Sequence, residues 1–168
     1  MRTIVRLIDS ISEYTGKVIC WACVVLVGVL TYEVIMRYAF SAPTIWSYEL
    51  SRMLGATIVI LGVAYTHRHH GHVRVDVFYT HFPPKWRTII DIVFALLLFF
   101  PLFITLTYAA ASEMWYSWAS GEVLTGTVWY PPAGPIRTVM FLGLFLLALQ
   151  GVAQFIRDLH LLIRNKPL

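Results

Sequence analysis

Four long apolar stretches, at about residues 18–36, 46–66, 89–112 and 136–156, divide the chain, with short polar segments between them. A helix crossing ~30 Å of hydrocarbon at ~1.5 Å per residue needs about 20 residues, and three of the stretches meet that length directly. The second does so only by including charge, because Met53 to Thr66 supplies just 14 uncharged residues. Its helix must start near Trp46, with Glu49 and Arg52 in its first two turns at headgroup depth. Three apart on one face, these two can pair and lower each other's desolvation cost. Arg37, beyond the end of the first stretch, is a second possible partner for Glu49. Ahead of the first stretch, Ile4, Leu7, Ile8, Ile11 and Tyr14 recur at helical spacing against Arg6, Asp9, Ser10 and Glu13. That pattern predicts an amphipathic helix over Thr3–Thr15 lying in the membrane interface. The expected fold is an all-α polytopic membrane protein: one four-helix domain over residues 1–168, plus the interfacial helix and short interfacial segments.

Within the spans, polar residues are few and sit near the ends. Glu33, the charge of span one, lies four residues before Arg37 and one turn from the helix end, which favours a structural pair over a proton-coupling carboxylate. Gly55 and Gly62, seven apart in span two, share a face on which a neighbouring helix can come close. Asp91 is expected near the start of span three, where a helix N-terminus favours an anion. Pro101 near its middle predicts a static kink fitted to its neighbours. In span four Gln150 and Gln154, four apart, share a face and can hydrogen-bond another helix.

Composition agrees: 58% of residues are hydrophobic and 13% charged, against about 25% charged in soluble domains, and the mean hydropathy is +0.70. The net charge of +4 then points to basic loops facing anionic lipid and cytosol, not to nucleic acid. With four spans, one side carries ten of the Lys and Arg residues, from Arg2 to Lys166, and the other carries Arg37, Arg52 and Arg137. The excess predicts that both termini are cytoplasmic in a multi-pass protein. The loop between Glu113 and Pro135 holds Trp115, Tyr116, Trp118, Trp129 and Tyr130 without a Lys or Arg, an aromatic belt at the opposite interface that can also serve as a docking surface. The late, long first apolar run with no small-residue cleavage site after it argues against a cleaved signal peptide.

Candidate chemistry is sparse. His67, His69, His70, His72 and His81 crowd the loop after span two, with Asp76 nearby. Their spacing matches no helical ligand pair and Arg68 and Arg74 interleave, so no metal is expected. Instead Gly71 is expected to make a turn, and His72 and Asp76 to tie down a short interfacial segment. Cys20 and Cys23 form a C-x-x-C pair inside the first apolar run, without redox context, and read as two small apolar residues on a helix. No nucleophile–base pair or phosphate loop has a usable spacing, so neither catalysis nor a cofactor is expected. A b-type cytochrome or quinone-linked anchor would need His within the spans, and all six lie in loops or at helix ends. A self-sufficient small exporter would have to be built around Glu33.

A set of separated polar residues carries a resemblance. Arg37-Tyr38, Phe40-Ser41, Trp46 with Glu49-Leu50 three residues on, Arg52, Gly62, and Gly71-His72-Val73-Arg74-Val75-Asp76 resemble the small permease (Q-type) subunit of TRAP, the tripartite ATP-independent periplasmic transporters. The likeness is close over about forty residues and looser afterwards, through the later span spacing and Trp129-Tyr130-Pro131-Pro132. It implies a bacterial inner-membrane scaffold that braces a large permease, helps dock a periplasmic solute-binding protein, and contacts lipid. It further implies sodium-driven uptake of a small solute, a carboxylate in most of the family. The residues expected to make structural or partner contacts are Arg37, Trp46, Glu49, Arg52, Gly62, Gly71, His72, Asp76, Gln150 and Gln154.

Overall fold

The computed structural model describes residues 2–69, 83–126 and 128–164. Gly71, His72 and Asp76, with most of the His-rich loop, lie outside the described residues. Among the described residues every regular element is a helix: α1 (Arg2–Tyr38), α2 (Ser47–Arg68), α3 (Pro84–Phe94), α4 (Phe100–Ser120) and α5 (Gly134–Arg164), with a π-helical turn, Ala95–Phe99, joining α3 to α4. Among the described residues four stretches are long and apolar enough to cross a membrane: Val5–Tyr38, Ser47–His67, Trp86–Ser120 and Gly134–Ile163.

Two departures from expectation have clear physical causes. The amphipathic N-terminal segment is not a separate helix but the first third of α1. Its apolar Val5 and Ile8 are buried with Ala153 of α5, against Leu149 and Ile156. A polar stripe that suggests an interfacial helix is here half occupied by contacts with α5. In the third span the helix begins at Pro84, so Asp91 lies two turns in and not at the N-terminus. Pro101 acts one turn upstream of itself. It has no N–H to give Leu97 and its ring crowds that carbonyl, and the preceding turn widens so that the Phe100 N–H bonds the Ala95 carbonyl five residues back.

Helix α5 is the hub: it packs against α1, α2, α3 and α4, while α2 lies between α1 and α5. Close approach is set by glycines on α5. A Cβ on Gly143 would meet the Ile60 carbonyl oxygen of α2 at 2.9 Å, and one on Gly151 would meet the Phe99 ring at 2.1 Å. By contrast Gly55 and Gly62 have open space where a Cβ would stand, so within this chain they are not the points of contact. Helix α4 ends at Gly121, whose φ of 63° is the left-handed conformation that glycine adopts without strain. A hairpin follows, held by Leu124 N–H to the Pro131 carbonyl (2.8 Å) and Ala133 N–H to the Glu122 carbonyl (2.9 Å).

Candidate functional site: polar anchors at the two ends of the helices

Charged side chains gather at both ends of the helices and leave the middle bare: residues 18–32, 53–66, 92–112 and 138–156 contain no Asp, Glu, Lys or Arg. At the hairpin end, three acid–base groups lie where the loops meet the helices. Glu33, nearly buried, accepts from Arg37 Nε (3.1 Å) and Nη2 (2.7 Å) through one oxygen. Its other oxygen accepts the Thr44 N–H (3.1 Å) and the Thr44 hydroxyl. One carboxylate thereby ties the end of α1 to the chain entering α2. The Trp46 ring, just before α2, stacks on Tyr32 of α1 at 5.8 Å and closes the same junction.

Glu49 is fully buried, and its Oε2 lies 2.9 Å from Nη2 of Arg52, itself half exposed. No described donor is aligned on either Glu49 oxygen, so the contact is an ion pair by proximity and not a directed hydrogen bond. Of the two arginines expected to compete for Glu49, Arg52 is its neighbour and Arg37 belongs to Glu33. Gly126 of the hairpin lies over this pair. A Cβ there would stand 3.0 Å from Glu49 Oε1, so a bare backbone is what lets the hairpin close over the carboxylate.

The third group went unrecognised in the sequence. Arg137, in the first turn of α5, is gripped by Glu113 of α4 and by Glu122 of the hairpin, the latter at 2.7 Å. Glu122 also accepts from the buried Ser117 hydroxyl at 2.7 Å. The signal available was a loop with two glutamates and no cation, followed by a lone arginine. The aromatic belt sits on the same structure. Trp115, Tyr116 and Trp118 are largely exposed, and the Trp118 indole N–H donates to Thr138 at 2.9 Å.

The opposite end is held by one network across α1 and α5. Gln150, fully buried, accepts from the Ser12 hydroxyl (3.1 Å) and donates to Asp9 (3.1 Å), whose other oxygen pairs with Arg157. Gln150 therefore makes the interhelical bonds expected of it. Gln154 does not. It donates to Asp158 (3.0 Å) and accepts from Arg157 (3.3 Å), both within α5. Among the described residues no three His, Cys, Asp or Glu side chains converge as a metal site would require, and Cys20 and Cys23 are exposed free thiols.

Residues 26–161 match the family described as tripartite ATP-independent periplasmic transporters, DctQ component. The sialic acid TRAP transporter permease protein SiaT of Haemophilus influenzae (strain 86-028NP) is 28% identical over 99 residues, 59% of this chain and 16% of that protein. The sialic acid TRAP transporter small permease protein SiaQ of Vibrio cholerae serotype O1 is 29% identical over 82 residues, 49% of this chain and 46% of that protein. The matched stretches thus span less than half of either relative's length. With four membrane-length helices and a match covering most of its length, this chain belongs to the DctQ family, the small permease component of TRAP transporters in the bacterial inner membrane.

Proposed function

We propose that this subunit braces a large permease in the membrane and helps seat a periplasmic solute-binding protein, without itself carrying solute or coupling ion. The observation that carries the reading is the charge-free middle of all four spans. A coupling ion or a substrate carboxylate needs a charged or strongly polar partner at depth. Such a group costs ~2.5–3.5 kcal/mol at the helix centre on insertion scales and is kept where it has a task. Here the charged side chains near the helix ends are engaged with neighbours, and those of Glu33, Asp9 and Arg137 tie one element to another.

Glu33 bears on the rival reading of a self-sufficient exporter. Its two oxygens are occupied by Arg37 and Thr44, which suits a fastener and not a group that must change protonation during transport. The SiaT relative supports a large partner. A stretch similar to this chain is 16% of that permease, so in that protein the same kind of unit is joined to a much longer one. Sodium-driven uptake of a small organic acid is the activity the family suggests for the assembled transporter.

The orientation follows from the basic residues: both termini and the 69–83 connection face the cytoplasm, and the hairpin faces the periplasm. A phosphatase reporter that works only outside the cytoplasm is expected to be silent after Leu168 and active near Gly121. Activity after Leu168 would overturn this topology. The test of the function is uptake in vesicles holding the large permease and binding protein. Uptake is expected to vanish without this chain and to be absent in vesicles holding this chain alone. Transport by the chain alone would establish the exporter reading instead.

A further inference from the structure

The outward faces of α1 and α4 differ in chemistry. In the middle of α1, between Val24 and Leu30, the exposed positions are Val24, Val25, Val27, Gly28 and Leu30, none with a polar side chain, as a lipid-facing surface should be. Helix α4 makes its helix–helix packing on α5, through its less exposed stripe Phe103, Thr107, Ala110, Met114 and Ser117. The opposite arc holds Thr105, Tyr108, Ala109, Ser112 and Tyr116, at i, i+3, i+4, i+7 and i+11, and all five are exposed. It carries a row of hydroxyls where the middle of α1 carries valines.

Two of these hydroxyls are satisfied at home. Thr105 Oγ1 donates to the Pro101 and Leu102 carbonyls and Ser112 Oγ to that of Ala109, the usual return bond of short hydroxyl side chains in a helix. Tyr108 is too long for that. It is 78% exposed and its hydroxyl has no hydrogen-bond partner among the described residues. Its depth makes this costly. Tyr108 lies seven and ten residues before Trp115 and Trp118 of the aromatic belt, which places it about 10–15 Å further along the axis, inside the hydrocarbon. Lipid tails offer a phenol nothing to bond, and unpaired polar groups there are strongly disfavoured.

Resting on the bracing role proposed above, we propose that the Thr105–Tyr108–Ala109–Ser112 face of α4 seats a transmembrane helix of the large permease, with the Tyr108 hydroxyl bonded to a polar group on that helix. Ala109 and Ser112 are small enough to let a second backbone come close, as at most membrane helix contacts. The edge position of α4 leaves the face open without rearranging the other helices.

The test is site-specific photo-crosslinking in membranes that contain this chain and its tagged large permease. A benzophenone side chain at position 108 or 112 is expected to give a crosslink to the large permease, and one at position 27 on α1 is not. A crosslink from 27 but not 108 would move the interface to α1 and overturn the inference while leaving the bracing role standing. A crosslink from 108 to a second copy of this chain, or only to lipid, would overturn it too, as would no crosslink from 108 or 112 while the two proteins co-purify. Failure of the unmodified pair to co-purify would remove the bracing role and the inference together. Tyr108→Phe is expected to lower the amount of detergent-stable complex about threefold, the effect of one interhelical hydrogen bond. Ala109→Trp is expected to lower it roughly tenfold by overpacking, and Val27→Trp to leave it unchanged. Both α4 variants point away from α5, so each purified alone should melt as the wild type does. An undiminished complex with both α4 variants would overturn the inference.

Discussion

The two ends of the helices solve one problem in different ways. At the hairpin end Glu33 pairs with Arg37 and Glu49 with Arg52 within four residues, and Arg137 reaches back only 15 and 24 residues, to Glu122 of the hairpin and Glu113 of α4. The Glu33 group fixes the junction between α1 and α2 and the Arg137 group fixes the hairpin, which packs over the Glu49–Arg52 pair through Gly126. At the other end a single network, Ser12–Gln150–Asp9–Arg157, joins the first helix to the last across 138 to 148 residues of sequence. It fixes the order of helices and not the shape of a loop. The first arrangement sets individual loops, and the second holds two helices far apart in sequence against each other.

Substitutions can break this contrast at either end. The largest effect is expected from Arg52→Ala, which leaves the buried Glu49 carboxylate without its cation. Orphaning a buried charge costs about 3 kcal/mol or more, and the half-exposed arginine puts this case at the low end. The midpoint of unfolding in mixed detergent should fall accordingly, and the double variant Arg52→Ala with Glu49→Gln should recover most of the loss. Strict additivity of the two changes would show that the residues do not act as a pair.

Next comes Gln150→Leu, which removes two bonds from a fully buried site and should cost about 1–2 kcal/mol. Its signature is regional: cysteine accessibility at the N-terminal part of α1 should rise while the hairpin stays protected. A uniform rise at both ends would deny the clamp its separate identity. Gly126→Ala should cost less, on the order of 1 kcal/mol, since the added methyl meets a side-chain oxygen that can yield slightly. Its damage should be confined to the hairpin, read as faster proteolysis between Gly121 and Ala133. Smallest of all is Gln154→Leu. Its bonds stay within α5, where such pairs are worth about 0.2–0.5 kcal/mol, so a loss matching that of Gln150→Leu would contradict the distinction drawn between the two glutamines.

What could be read from the sequence divides along the same line. The i,i+3 and i,i+4 pairs at the hairpin end were legible because helical periodicity alone brings their members together. Gln150 was legible as a polar residue in an apolar span that must find a partner on another helix. Its actual partners were not, because Asp9 and Ser12 sit in a segment whose half-polar pattern looks the same whether it faces water or a neighbouring helix. The grip on Arg137 was hidden for a related reason: it depends on a hairpin turning back, set by Gly121 and a pair of backbone hydrogen bonds. Span two shows that a small-residue stripe marks a possible approach, not an actual one. Gly55 and Gly62 are open, and the close crossing is made by Gly143 on Ile60. Pro101 announced a disturbance in span three, and the sterics of proline place it in the turn before.

The central claim is that the charges of this subunit fasten helices and loops and take no part in ion coupling. Sodium titration of solute uptake tests it most directly, using vesicles that hold the large permease, the binding protein and either the wild-type chain or Glu33→Gln. The account predicts the same dependence on sodium concentration for both, with at most a lower maximal rate from less assembled complex. A shifted or flattened sodium dependence with Glu33→Gln would place the coupling site in this subunit and contradict it.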